Sequence, residues 1–332
     1  MSKVKISTLF STFNRCTLLC KALDYLVMQT LPRDQFEVIV IDDGSTDNTK
    51  KVVESFNNKL FIRYVYQRNQ GIAVAKNHAI QMASAPLVLF MDDDDLADSN
   101  LLAEHIGTHE KYKEENIAVL GYTGLSDEVS LSPLMHFVTQ VGYYLFCYPK
   151  LNNGDVLDYT YFWGGRSSCK KDLIQKIGGF DPIFKFGCED IELGYRLHAN
   201  GFKVIYNENA RSTMIRTISL NDFCHRVEKQ GYSNWIFSKK HPKPEVELWT
   251  EVIGLDTHWA YVKPYLEYYK TCAQRLERII YARKKYDLEI DDLLLSLLHN
   301  MYWKVLDGFR VKGSYQACQD YKQDKKVKGF KK

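Results

Sequence analysis

No apolar run in this chain of 332 residues is long enough to cross a bilayer. None of its eight cysteines sits in a C-x-x-C pair or at zinc-site spacing, so free thiols in a reducing compartment are expected. Position 1 leads straight into a strand-like segment and Arg15 interrupts the first apolar region, so no signal peptide is expected. These absences give a cytoplasmic expectation. An excess of charge of one sign is lacking too, with 44 Lys and Arg against 41 Asp and Glu. Nucleic acid is therefore not an expected partner. Internal repeats and extended low-complexity segments are also missing.

Glycine-rich phosphate loops are absent as well. After the first strand-like run there is neither G-x-G-x-x-G nor G-x-x-x-x-G-K-[ST], which argues against dinucleotide oxidoreductases and P-loop enzymes. A sugar nucleotidyltransferase needs a comparable loop for triphosphate, and Ser11-Thr12-Phe13-Asn14-Arg15 does not supply one. A phosphatase with an aspartate nucleophile carries its Asp-x-Asp on the first strand, whereas here the pattern follows the fourth.

What is present is a strand that ends in acid. Ala85-Pro86-Leu87-Val88-Leu89-Phe90-Met91 is almost wholly apolar and runs directly into Asp92-Asp93-Asp94-Asp95. Such a run reads as a strand buried on both faces. Open parallel sheets bind ligands just beyond the carboxyl ends of their strands. Four adjacent carboxylates repel one another, so positive charge is needed beside them. A divalent cation carrying phosphate oxygens is one reading; a solvated turn capping the next helix is the other. Upstream, residues 4–10, 36–41 and 60–66 read as strands, with helical spacing after Thr17 and over 71–83. The second strand also finishes in acid, at Asp42-Asp43-Gly44-Ser45-Thr46-Asp47. Alternation of this kind means an α/β fold, a Rossmann-like, mostly parallel sheet wound with helices. Both acidic clusters then share one sheet edge, which favours a nucleotide–metal site.

Farther on lie Ser167, Ile177-Gly178-Gly179-Phe180-Asp181 and Gly187-Cys188-Glu189-Asp190-Ile191-Glu192-Leu193-Gly194-Tyr195-Arg196-Leu197. With the two acidic strand ends, the Ser11 to Arg15 turn, and Gly71 followed by Ala75-Lys76-Asn77, this set resembles family 2 glycosyltransferases of the GT-A fold. The resemblance covers roughly positions 3–215. It implies transfer of a sugar from a nucleoside diphosphate donor to an acceptor hydroxyl, with inversion and a divalent metal, Mn2+ or Mg2+. By motif, Thr12 and Asp43 would contact the nucleoside, with Asp43 on the base, and this points to a UDP or dTDP sugar. Asp92 would reach the ribose, Asp93 would belong to the donor site, and Asp94 would be the metal ligand with Asp95 in support. Lys76 stands where the family often has Arg, so its donor contact would be a point charge and not a planar fork. Arg15 is either an anchor for the acidic turn or a surface arginine at a helix start.

Glu189 and Asp190 open a helix closed by Asn200-Gly201, where acids also suit the helix dipole. Inverting transfer needs a carboxylate beside the acceptor hydroxyl, and a helix N-terminus would keep it ionised at neutral pH. The resemblance makes Asp190 that base and Glu189 an acceptor contact. Tyr159-Thr160-Tyr161-Phe162-Trp163-Gly164-Gly165-Arg166 combines aromatics with glycines that would let a ligand approach backbone. Trp163 is therefore an acceptor candidate, against ordinary aromatic packing at a sheet edge. One departure concerns the metal: Met214 stands where many relatives place a His, and a thioether is a poor ligand for Mg2+ or Mn2+. Either Asp94 and diphosphate would hold the metal with water, or His225 would replace the lost ligand; the plainer reading of His225 is a polar helix residue.

The expected organisation is a domain over 1–215, with a nucleotide-binding half (1–117) and an acceptor half (118–215). A helical extension over 216–332 ends in a basic, solvated tail from Lys325. The acceptor is expected to be a saccharide, free or lipid-linked, with the extension as candidate contact with the inner face of a membrane. Two rivals remain, a sugar nucleotidyltransferase and a catalytically silent nucleotide-sugar binding module. The missing glycine-rich loop argues against the first, and Asp92, Asp94 and Asp190 argue against the second.

Overall fold

The computed structural model describes residues 4–329. The chain opens with β1 (Ile6–Thr12), α1 (Cys16–Val27), β2 (Phe36–Asp42), α2 (Thr49–Glu54), β3 (Ile62–Tyr66), α3 (Ile72–Met82) and β4 (Leu87–Phe90). The apolar runs become parallel strands in the order β3-β2-β1-β4, with β1 between β2 and β4. Every residue of β2 and β4 is buried, as mostly apolar central strands require, and the one charged residue inside β2, Glu37, is bonded by Ser7, Ser84 and Arg63. Alternate side chains Ile6, Phe10, Val38 and Val40 pack against Leu19, Leu23 and Leu26 of α1. Each such buried side chain contributes about 1.5–3 kcal/mol. Arg15 at the start of α1 makes no side-chain cap; Asp47 Oδ2 accepts the Cys16 N–H at 3.0 Å instead, and burial of the apolar face holds the helix in place.

The second half of the sheet is mixed. β5 (Asp95–Ala97), α4 (Leu101–Lys111) and β6 (Ile117–Leu125) lead to a short helical turn, α5 (Asp127–Ser130). After a second short turn, α6 (Pro133–His136), come β7 (Val156–Leu157), β8 (Ser167–Lys170), α7 (Lys171–Lys176), α8 (Glu189–His198) and β9 (Lys203–Met214). The sheet continues β4-β8-β6-β9-β5, with β7 also on β9, giving nine strands among the described residues. β8 runs antiparallel to both β4 and β6, while β9 runs parallel to β6. β9 is longer than the strand expected from residues 203–206, and its partner register shifts between Gly121 and Tyr122.

Contacts divide the chain into two compact units, one of residues 1–129, 148–185 and 189–216 and another of 130–147, 186–188 and 217–332. Residues 130–147, expected in the acceptor half, fall in the second unit. Phe137 explains why: it is buried, and its ring lies 5.2 Å from Tyr302 and 5.3 Å from His299. The helical unit also contains α9 (Leu220–Lys240), α10 (Pro244–Thr250), α11 (Leu255–Val262), α12 (Leu266–Lys285) and α13 (Asp292–Gly329). The tail expected to be solvated coil from Lys325 continues α13 as helix to Gly329. Lysine is a good helix former and no breaker intervenes before that glycine. The last three residues of the expected tail lie outside the described ones. Among the described residues no helix is long and apolar enough to cross a membrane.

Candidate active site

The acidic residues meet at the carboxyl ends of β1, β2 and β4. Past Phe90, Met91 N–H still bonds Leu9 O of β1 at 3.0 Å, and the chain then turns away, with Asp92 N–H on Gly165 O at 3.1 Å. Asp93 is buried and accepts from the Thr12 hydroxyl at 2.7 Å and from Arg15 Nη1 at 2.8 Å. Asp94 is buried too; it pairs with Arg216 and lies 3.8 Å from Arg15. Asp95 takes Arg166 and the Thr123 hydroxyl, each at 3.3 Å. Asp92 differs from its neighbours: its side chain is 42% exposed, and Arg166 reaches it at 3.0 Å.

The four carboxylates therefore carry protein counter-charge of their own. Arg15, Arg166 and Arg216 stand against Asp92, Asp93, Asp94 and Asp95, leaving one formal negative charge. Burial pushes the Asp95 carboxyl up to about 8, opposed by Arg166 and assisted by Asp94 and Asp92. The need for a divalent cation, argued from repulsion alone, is met largely by guanidiniums. Arg166 was visible in the aromatic run and Arg216 lies two residues past Met214, but neither is a site candidate by sequence pattern. Their partners are set by tertiary pairing. β5 and β9 align Asp95 with Met214, and Ile215 N–H bonds Asp94 O at 2.9 Å, which brings Arg216 to the acid tip.

Asp43 sits one strand over. Its Oδ1 accepts from Gln67 Nε2 at 2.7 Å and Gln70 N–H at 2.9 Å, and its Oδ2 from Gly71 N–H at 2.9 Å. The carboxylate thus pins the turn between β3 and α3. Asp43 N–H bonds Thr12 O at 2.9 Å, which ties the two acidic clusters together through Thr12. Asn14, in a left-handed conformation at φ 53°, completes the edge by accepting Thr46 N–H at 2.8 Å.

Opposite Asp92 lies a second charged group. Lys76, expected as a donor contact, is buried with its ammonium 2.8 Å from Glu189 Oε1 and 5.2 Å from the Phe180 ring centre. Burial opposes its charge, but Glu189 and Asp190 outweigh that and raise its pKa. Glu189 is 4% exposed and its Oε2 has no hydrogen-bond partner. Asp190 is half-buried; its Oδ2 accepts Gly164 N–H and its Oδ1 Ile191 N–H, both at 2.8 Å. Burial, with Glu189 beside it, raises Asp190 to about 6, while Lys76 and the two N–H groups hold it down. The helix start was expected to keep this carboxylate ionised; at pH 7 it is still mostly so, from a raised value.

Gly164 and Gly165 join the two groups. A Cβ on Gly164 would fall 2.3 Å from Lys76 Nζ and 3.2 Å from Asp190 Oδ2, and one on Gly165 would fall 2.1 Å from Asp92 Oδ2. The close approach read from these glycines is made by the protein's own side chains. Asp92 and Asp190 thus flank two consecutive residues of backbone. Trp163 precedes them, half-buried, with its indole N–H on Thr160 O at 3.0 Å and its ring 5.8 Å from Tyr161 and 5.4 Å from Tyr148. Met214 is buried within the sheet, and His225 is exposed on α9.

A family model described as glycosyl transferase family 2 matches residues 7–178, and one described as N-terminal domain of galactosyltransferase matches 152–218. Validoxylamine A glucosyltransferase of Streptomyces hygroscopicus subsp. jinggangensis is 31% identical over 280 residues, 74% of this chain and 63% of that relative. Chondroitin synthase of Pasteurella multocida is 30% identical over 233 residues, 61% of this chain and 24% of its own length. The chain therefore spans less than two thirds of either relative. Among solved structures, mannosyltransferase PcManGT from Pyrobaculum calidifontis, in complex with GDP-Man and Mn2+, superposes with TM-score 0.59 at 18% identity. That match covers 95% of this chain and 87% of the mannosyltransferase. S. aureus TarS 1-349 in complex with UDP gives 0.53 at 18% identity, over 94% and 91%. At such identity these two likenesses speak to the fold alone, and the fold is the GT-A type expected from the motifs.

Proposed function

The chain belongs to glycosyl transferase family 2, and we propose that it transfers a sugar, with inversion, from a nucleoside diphosphate donor to an acceptor hydroxyl. One observation carries the reading: Asp92 at the acid-tipped strand and Asp190 at the start of α8 lie against consecutive glycines, Gly165 and Gly164. A donor held at the first carboxylate thus has a base close by. Asp190 accepts the acceptor's proton as its hydroxyl attacks, a role suited to a carboxylate near 6. Glu189 and Trp163 border the acceptor, and Lys76 holds Glu189 in place.

The donor we propose is a UDP or dTDP sugar. Asp43 Oδ2 accepts a single protein N–H, so it retains capacity for a base N–H. Binding of GDP more tightly than UDP and dTDP would contradict this choice. For the metal, the donor set is hard oxygen, from Asp94 and the exposed Asp92. Among the described residues no three His, Cys, Asp or Glu side chains group as a complete cage. Such a set fits Mn2+ or Mg2+ held by two carboxylates and completed by diphosphate oxygens and water. The metal would supply charge to the departing diphosphate. Arg15 and the Thr12 hydroxyl hold Asp93 in register.

The acceptor is a saccharide, free or lipid-linked. Contact of the helical unit with a membrane surface is supported by exposed Leu248, Trp249, Ile253, Tyr261 and Tyr268 on and between α10, α11 and α12. Co-sedimentation with anionic vesicles tests it. The test of the activity is incubation with a panel of labelled nucleotide sugars. Release of nucleoside diphosphate is expected; release of pyrophosphate would mean nucleotidyl transfer, and release of neither would mean a binding module.

A further inference from the structure

Asp94 is buried and already paired with a cation of the protein, Arg216, with Arg15 at 3.8 Å. Arg216 follows directly on the Ile215 backbone bond to Asp94 O at 2.9 Å, so its stem is fixed to the acid tip. Its side chain is 27% exposed, so Arg216 stands between the buried carboxylate and solvent. Met214, two residues earlier, is buried and offers only a thioether. The edge of the site thus has an arginine where the chain offers no imidazole.

We propose that Arg216 is an exchangeable counter-ion of this site, bound to Asp94 when the donor is absent and to diphosphate oxygens when the donor is present. The inference rests on the function proposed above. A guanidinium suits both partners, because its planar fork matches carboxylate and phosphate alike. The exchange keeps Asp94 neutralised while the site is empty and frees it for a hard cation when diphosphate arrives. It also sets the order of affinities: a divalent ion alone must compete with Arg216, whereas an ion accompanied by diphosphate need not. Removing this fixed charge acts on two ligands in opposite directions, which a merely structural arginine does not do.

The test uses two probes on the full chain, without any sugar donor: Mn2+ alone, and inorganic pyrophosphate in the presence of a chelator. In Arg216→Met, Mn2+ binding followed by calorimetry or by the Mn2+ spin-resonance signal should tighten roughly tenfold or more, from the loss of a nearby like charge. Pyrophosphate binding should weaken by a similar factor. Arg216→Lys, which keeps the charge, should stay within a few-fold of wild type for Mn2+, and melting temperatures identify any variant that fails to fold. Unchanged or weaker Mn2+ binding in a folded Arg216→Met, or pyrophosphate binding that is no weaker, overturns the proposal while leaving the proposed activity standing. If wild-type protein binds neither Mn2+ nor pyrophosphate and transfers no sugar, both readings fall together.

Discussion

At the scale of single residues, Asp190 makes the sharpest claim about pH. Burial and Glu189 hold it near 6, above an ordinary aspartate, while Lys76 and two N–H groups limit the rise. A base must be ionised to accept a proton, so the rate of transfer at subsaturating donor should climb as pH rises through about 6 and then level. A profile already flat from pH 5 would show that the group at work is an unperturbed carboxylate. Gly165 gives a second expectation. Gly165→Ala would put a Cβ 2.1 Å from Asp92 Oδ2, where Arg166 and the strand end leave little room to yield. Donor affinity should drop at least tenfold, a loss larger than any fall in melting temperature explains. Direct titration with UDP or dTDP, beside a thermal melt, measures both.

At the scale of elements, the sequence was most legible where burial is continuous. The runs 36–41 and 87–91 could be read as strands because they are almost wholly apolar, with Glu37 the one charged residue, and the structure has β2 and β4 there. β9 was read only to residue 206, since Asn207, Glu208, Asn209 and Arg211 break the apolar pattern; its continued pairing depends on β6 and β5. The acidic residues of the site stood out for their spacing. The arginines beside them did not, because an isolated Arg carries no period and its partner lies at a sequence distance of tens of residues. In the helical unit, α9 and α13 cross in close contact at glycines. A Cβ on Gly231 would fall 1.9 Å from Arg310 O, one on Gly313 would fall 1.8 Å from Glu228 O, and the Ser314 hydroxyl bonds Gly231 O at 2.8 Å. Gly231→Ala should therefore destabilise the protein by about 1–3 kcal/mol through overpacking, despite alanine's better helix propensity. Denaturant unfolding measures this, and a stabilised variant would refute the close crossing.

At the scale of the whole molecule, a buried histidine pair is expected to contribute to loss of stability in acid. His105 and His109 both bond the Ser168 hydroxyl, at 2.9 and 3.0 Å, beneath the sheet. Burial lowers His105 to about 3, with His109 adding, and burial lowers His109 to about 4. Both are neutral in the fold but titrate near 6.5 when unfolded, so the unfolded chain binds more protons in this window. Their contribution is present in full above about pH 6.5 and is lost as pH falls toward 4 and 3. Melting temperature should decline over that range, and His105→Gln should flatten the decline. An equally steep decline in that variant would assign acid sensitivity to other groups.

The account of the chain as a glycosyltransferase depends on one carboxylate acting as base beside a separate donor site. Asp190→Asn measured for transfer rate, donor affinity and melting temperature tests it most directly. Asparagine can still accept the Gly164 or Ile191 N–H, and Glu189 stays in the first turn of α8, so the fold should persist. Donor affinity should be kept, because the donor site proposed above lies at Asp43, Asp92 and Asp94, away from Asp190. Transfer should fall by about two to four orders of magnitude, the usual worth of a positioned base. Near-wild-type turnover in a folded Asp190→Asn protein would contradict the account.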